Sequence, residues 1–321
     1  MQWQSDVARL AQRQHGIVTL GEALQLGMTR AQVRHQVESG AWVRLVGGVF
    51  RIAGAPVTFP SRVVAACRAA GPRAVASHRC AARLLGVGTG LVPEVVEITV
   101  PLGRSVARAR SLGAEVHFSR RLTNADMGSS TSGVAVTRPV RMVLECANQL
   151  TYPDFCLLLD ETMVRYRLRA SSIRRAHHRL GWRRGGAALE RALSIYGSGP
   201  TSDSPPEVRL ARRLVDSGLP APELLAAVVL AGGRVVEGDL AYRAERVIID
   251  YHGKLSHTAR HLTHDAARSN AIQAAGWVHL TATDADLLPG AAVLTGTVTQ
   301  LLVERTEASR HTSDETWARS G

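Results

Sequence analysis

The chain has 321 residues, 45% of them apolar, with a formal net charge of +12 and a pI of about 10.7. That apolar share excludes a globally disordered chain, and the length implies two or three domains. The longest apolar run, 224–233, is far too short to span a bilayer, so no membrane association is expected.

The first residues lack the basic–apolar–small order of a secretory signal, and Cys67, Cys80, Cys146 and Cys156 show no C-x-x-C spacing. A cytoplasmic protein with buried thiols is expected. The basic balance makes DNA the first candidate partner, although arginine-favouring codons account for part of the excess.

In chain order, residues 1–55 come first. Ser5 and Asp6 are placed to cap a helix with Val7, Leu10 and Ala11 on one face, ending at Gly16. Thr19 then caps a second short helix, and Thr29 a third that closes at Gly40. The runs around Gly47–Gly48 alternate like a β-hairpin. Three helices followed by a hairpin is the winged helix-turn-helix order, in which the third helix enters the major groove. Arg30, Gln32 and Arg34 on that helix and Arg44 beside the wing are the candidate DNA contacts, since Arg and Gln can make bidentate bonds to base edges. The alternative is a helical module that docks another protein.

Residues 56–195 suggest a mixed α/β region, with helices around Gly71–Pro72, strands at 95–100 and 114–118, and an arginine-rich helical stretch at 165–184. The arginine clusters fit a solvated face, and no catalytic constellation stands out. Residues 196–206 are a Gly/Ser/Pro linker, and the polar tail 304–321 is expected to be disordered.

Residues 207–303 predict an αβββαβα order. Asp239 leaves one strand and Asp250 ends its neighbour, so a hairpin brings two carboxylates together where a cation is needed. Mg²⁺ or Mn²⁺ meets that need, with Glu207 on the preceding helix as a third acid. His252, Lys254 and His257 follow Asp250, and Lys254 is the only lysine in the chain. Alternation puts 250, 252 and 254 on one cleft-facing side and Tyr251 under the next helix. A nearby Lys or His can orient water or stabilise charge developing on a phosphate. His257, His261 and His264 share a helix face best read as solvated, and Arg268 is expected to pair with Asp265 or DNA.

The segment 204–286 resembles the DUF559 group of the PD-(D/E)XK nuclease superfamily, related to the very-short-patch repair endonucleases. The resemblance is carried by Glu207 in SPPE, GLPAP, Asp239 in GDLAY, the apolar run into Asp250, and HDAARSNAIQAAGW leading to TATDADL. Residues 5–52 resemble the winged-helix domain of AbiEi-type antitoxins, and ASHRCAARLLGV and VAVTRPVRMVLECA resemble the segments that follow it there. Together these imply an α+β multidomain fold: a winged helix-turn-helix, a mixed α/β middle region and a restriction-endonuclease-like C-terminal domain. The resemblance implies a metal-dependent DNA endonuclease with Asp239, Asp250, His252, Lys254 and His257 as catalytic residues and Glu207, Asp239 and Asp250 on the metal. The chain departs from the family pattern at Asp250, His252 and Ser256. Those departures leave a second reading open: a non-catalytic antitoxin-type repressor with a decayed site, paired with a nucleotidyltransferase-type toxin.

Overall fold

The computed structural model describes residues 2–88, 90–182, 184–196, 204–230, 233, 235–252, 259–288 and 291–318. The chain divides into two compact units, 1–162 with 173–186, and 163–172 with 187–321. Most of the expected linker, 196–206, lies outside the described residues.

The first unit opens with α1 (Gln2–Arg13), β1 (Ile17–Thr19), α2 (Leu20–Gln25), α3 (Arg30–Glu38), β2 (Trp42–Val46) and β3 (Val49–Ile52). The strands form an antiparallel sheet in the order β1-β3-β2. Thr19 and Thr29 each close a capping box, with Glu22 and Gln32 respectively, so both helix starts fall where the sequence places them. The first helix does not: it begins at Gln2, leaving Asp6 inside it to pair with Arg9 at 2.5 Å. Val7 and Ala11 pack with Val18, Met28, Val33, Trp42 and Phe50 to make the core of this segment. Burying a ring such as Phe50 contributes roughly 2 kcal/mol. Gly16 turns the chain at φ +84°, and a Cβ there would lie 2.4 Å from that of Ala55.

The middle region follows as α4 (Phe59–Ala70), β4 (Val75–Ala76), α5 (His78–Leu85), β5 (Val96–Pro101), α6 (Ala107–Arg110), β6 (Ala114–Ser119), β7 (Met127–Ser129), β8 (Ala135–Thr137) and α7 (Pro139–Cys146). Its five strands run β6-β5-β4-β8-β7, with β5 and β6 parallel. Arg68 of α4 ties the two segments together, reaching Gln14 at 2.5 Å and Glu22 at 3.3 Å. The helices α8 (Tyr152–Arg165), α9 (Ala170–Leu180) and α10 (Gly186–Leu193) complete the stretch, and the division between units falls within all three. All four cysteines are buried thiols outside any disulfide.

The second unit continues with α11 (Pro205–Asp216), β9 (Glu223–Val229), β10 (Val235–Tyr242), β11 (Val247–His252), α12 (Ala259–Ala274), β12 (Val278–Thr283) and α13 (Val293–Ala318). This is the αβββαβα order. The sheet runs β12-β11-β10-β9, antiparallel except for the parallel pair β11–β12. One face packs Ala226, Val228, Val236 and Ile248 against Ile272 of α12 and Ala275 just after it. The tail expected to be disordered is instead helical through Ala318. Val298 and Leu302 are buried, and Arg305 donates to the carbonyls of Glu245 and Gly276 at 3.0 and 3.1 Å, which anchors a segment whose composition alone reads as soluble chain. Among the described residues, no helix is long and apolar enough to cross a membrane.

Candidate functional site

Two places carry the residues singled out by the sequence. The first is the N-terminal segment of three helices and a β2–β3 hairpin. Arg30 opens α3 and is exposed, and Arg34 is exposed one turn on, with Glu38 at 3.9 Å, a distance at which the charge stays available. Arg44 on β2 is exposed and lies over the Phe50 ring at 5.7 Å, which holds its guanidinium beside the hairpin. Gln32 is different. Its Oε1 accepts from the Thr29 amide at 2.7 Å and from the Thr29 hydroxyl at 3.2 Å, so this side chain is engaged in starting the helix. One basic residue escaped sequence reasoning: Arg108 of α6 donates to the carbonyl of Gly47 at 3.0 Å, fixing the hairpin turn and adding charge there. Residues of α1 with Trp42, Ile52, Ala55 and Pro56 line an apolar groove of about 620 Å³.

The second place is the acidic end of the C-terminal sheet. The β10–β11 ladder pairs Tyr242 with Val247 through Leu240 with Ile249, and the next step is made by side chains. The Asp239 amide donates to Asp250 Oδ1 at 3.3 Å, and the Tyr251 amide donates to Asp239 Oδ2 at 2.7 Å. The two carboxylates therefore lie side by side, as the hairpin spacing implies, and each holds the other strand's backbone. Gly238 makes room: a Cβ there would lie 2.6 Å from Ile248 Cγ2.

Asp250 is 4% exposed and fully engaged. His279 Nε2 lies 2.7 Å from its Oδ2, Arg268 of α12 ion-pairs with the same oxygen, and Arg268 also donates to Oδ1 at 3.3 Å. Burial would push this carboxyl up, but the bonds from His279 and Arg268 outweigh it and bring it to about 2. Asp239 moves the other way, to about 6, through burial first and then the negative charges of Glu207 and Asp250, with the Tyr251 amide pulling it back.

Arg268, expected to pair with Asp265 or DNA, thus reaches Asp250 and the carbonyl of Glu237. His279 was missed altogether; the signal was a histidine inside the alternating run WVHLTAT, where an apolar residue is the norm. Tyr251 does not pack under α12. Asp250 meets α12, and Tyr251 points its hydroxyl to Asp284, near the charges of Glu207 and Arg209 on α11. His252 ends β11, half-buried, with its Cα paired to Thr283, and makes no hydrogen bond or ion pair among the described residues. Lys254 and His257 lie outside the described residues, as do the side chains of His261 and His264.

The fit to a divalent ion can be judged from these contacts. Asp250 presents no oxygen without a partner, and Arg268 supplies the positive charge that an ion would bring. As they stand, the residues do not fit a metal at Asp250.

Comparison with known proteins bears mainly on the first place. Residues 5–53 match the family described as transcriptional regulator, AbiEi antitoxin. Over 253 residues, 78% of this chain, the protein is 30% identical to an uncharacterized Mycobacterium tuberculosis protein, Rv2248 in strain H37Rv and MT2308 in strain CDC 1551; 88% of that relative is covered. The crystal structure of the RV2827C protein from Mycobacterium tuberculosis is similar over 60% of this chain and 75% of that one, at 15% identity and a TM-score of 0.40. The chain belongs to the family of the Rv2248 protein, and its N-terminal segment is of the AbiEi antitoxin-type transcriptional-regulator kind.

Proposed function

We propose that the protein is a DNA-binding transcriptional regulator that lays α3 in the major groove and the β2–β3 wing along the phosphate backbone. One observation carries the reading: Arg30, Arg34 and Arg44 stand exposed on the helix and hairpin of a segment matching the AbiEi regulators. The net charge of +12 supports a polyanionic partner. In this reading a nucleotidyltransferase-type toxin is the expected protein partner, and the apolar groove behind α1 is where a protein rather than DNA would sit.

Fluorescence anisotropy tests it, using a duplex selected from a random pool by the wild-type chain. Arg30→Ala and Arg44→Ala should each weaken binding about tenfold, and a phosphate-contacting arginine should flatten the salt dependence by about one unit of slope. Unchanged affinity in both variants would reassign the segment to protein docking.

A second reading keeps the C-terminal unit as a Mg²⁺- or Mn²⁺-dependent endonuclease. It is favoured by the αβββαβα order and by Asp239, which burial first and then the charges of Glu207 and Asp250 raise to about 6. It requires Arg268 to leave Asp250. Heat on Mn²⁺ titration and metal-dependent DNA cleavage, both lost in Asp239→Ala, would establish it. A silent titration leaves the regulator.

A further inference from the structure

The middle region of the first unit contains a cavity of about 570 Å³ that DNA binding does not use. Its floor is Thr99 of β5 and His117 of β6, register partners on adjacent parallel strands, so their side chains share one sheet face. Thr99 is 2% exposed, yet its Oγ1 has no hydrogen-bond partner among the described residues. His117 Nε2 is likewise buried without one; Glu115 stands 3.6 Å away, too far to bond. Buried polar atoms left in this state are uncommon, because they lose water and gain nothing in return. Two of them at the floor of one cavity mark a place where another molecule supplies the partner.

The walls say what kind of molecule. His78 opens α5 with a left-handed backbone, φ +50°, and its ring stacks on that of His117 with centroids 3.8 Å apart. Burial, the neighbouring His117 and the charges of Arg141 and Arg79 bring His78 down to about 2, and burial lowers His117 as well. The deep end therefore presents two neutral imidazoles and a hydroxyl able to hydrogen-bond, with the Glu115 carboxylate beside His117. Arg141 is clamped by Glu145 at 2.9 Å and lies over the Trp182 ring at 4.8 Å, so its charge is already balanced. Arg184 is exposed and makes no ion pair among the described residues. The cavity lining thus joins neutral, hydrogen-bonding side chains to one exposed cation, Arg184, that makes no ion pair among the described residues.

We propose that this cavity binds a nucleoside monophosphate, with the phosphate at Arg184 and the base against Thr99 and the two imidazoles. The volume lies within the range of small-ligand pockets, and a nucleotide joins an anion to a flat hydrogen-bonding heterocycle in one small molecule. The site lies outside residues 2–52, so the proposal stands apart from the DNA-binding reading.

Calorimetry of the full chain with AMP, GMP, CMP and UMP, the matching nucleosides and inorganic phosphate tests it. At least one monophosphate should bind about tenfold more tightly than its nucleoside and than phosphate alone. Arg184→Ala should erase the preference for the monophosphate over the nucleoside. Thr99→Val should weaken both about tenfold while leaving the thermal midpoint unchanged or raised, because the hydroxyl it deletes has no partner in the free protein. A purely structural Thr99 would show a lowered midpoint. The proposal is overturned if no monophosphate binds at millimolar concentration, if phosphate alone binds as well, or if either variant binds as the wild type does.

Discussion

Two of the buried ionic clusters among the described residues, one in each unit, differ in how completely their polar atoms are matched. At the end of the C-terminal sheet, Asp250 accepts from Arg268, His279 and the Asp239 amide, and Asp239 accepts from the Tyr251 amide. In the middle region, Arg141 and Glu145 are matched to each other, but Thr99 Oγ1 and His117 Nε2 beside them are not. A cluster whose partners are all internal holds elements together. One that leaves donors or acceptors facing a cavity has room for a partner from outside. Sequence reasoning drew attention to the first cluster, because acids are conspicuous, and passed over the second.

The largest effect is expected where the matching is tightest. Asp250→Asn removes the charge that Arg268 and His279 share, leaving a partly buried guanidinium without its counter-ion. Breaking such a pair costs about 3 kcal/mol, measured by urea unfolding. Adding Arg268→Met should recover part of the loss, since the stranded cation is then gone too. The wild-type carboxyl sits well below its ordinary value, so its stabilisation is present above about pH 4 and is lost as pH falls towards 2. An Asp250→Asn protein as stable as wild type at neutral pH would mean that the cluster is not what joins α12 to the sheet.

Much of this was legible in the sequence, and the failures have a common cause. Local signals were read well: Thr19 and Thr29 sit three residues before their capping partners, and the Gly47–Gly48 turn lies between two short alternating runs. The meeting of Asp239 and Asp250 followed from a short hairpin, which is also a local feature. Arg268 and His279 reach Asp250 from a crossover helix and the parallel strand beyond it, so nothing in the spacing announced them. The cavity is more scattered still, drawing His78, Thr99, His117, Arg141 and Trp182 from five separate segments. Tertiary contacts also overrode composition in the tail, which continues a helix seated by Val298 and Leu302 just before it and by Arg305 within it. Tyr251 was misplaced because strand alternation names two faces without saying which one the next helix covers.

The smallest effect is the one that most sharpens the comparison, since it asks whether Asp239 is structural or reserved for a ligand. Its carboxyl sits at about 6, above the ordinary aspartate value, through burial and the charges of Glu207 and Asp250. The folded state thus favours the protonated form. Stability from this group is full below about pH 4 and declines as pH rises to about 6, remaining low above that. Asp239→Asn keeps an oxygen to accept from the Tyr251 amide and removes the charge. It should stabilise the protein by ~1 kcal/mol at pH 7.5 once solvent screening is allowed for, and by nothing measurable at pH 4. Glu207→Gln should move the midpoint the same way by less, since it acts on Asp239 only through its field. Thermal melts at the two pH values decide it. A gain confined to high pH identifies a carboxylate held at a cost to folding, as binding sites for cations are; an equal shift at both pH values, or a loss at pH 7.5, places Asp239 with Asp250 as part of the sheet's own bonding.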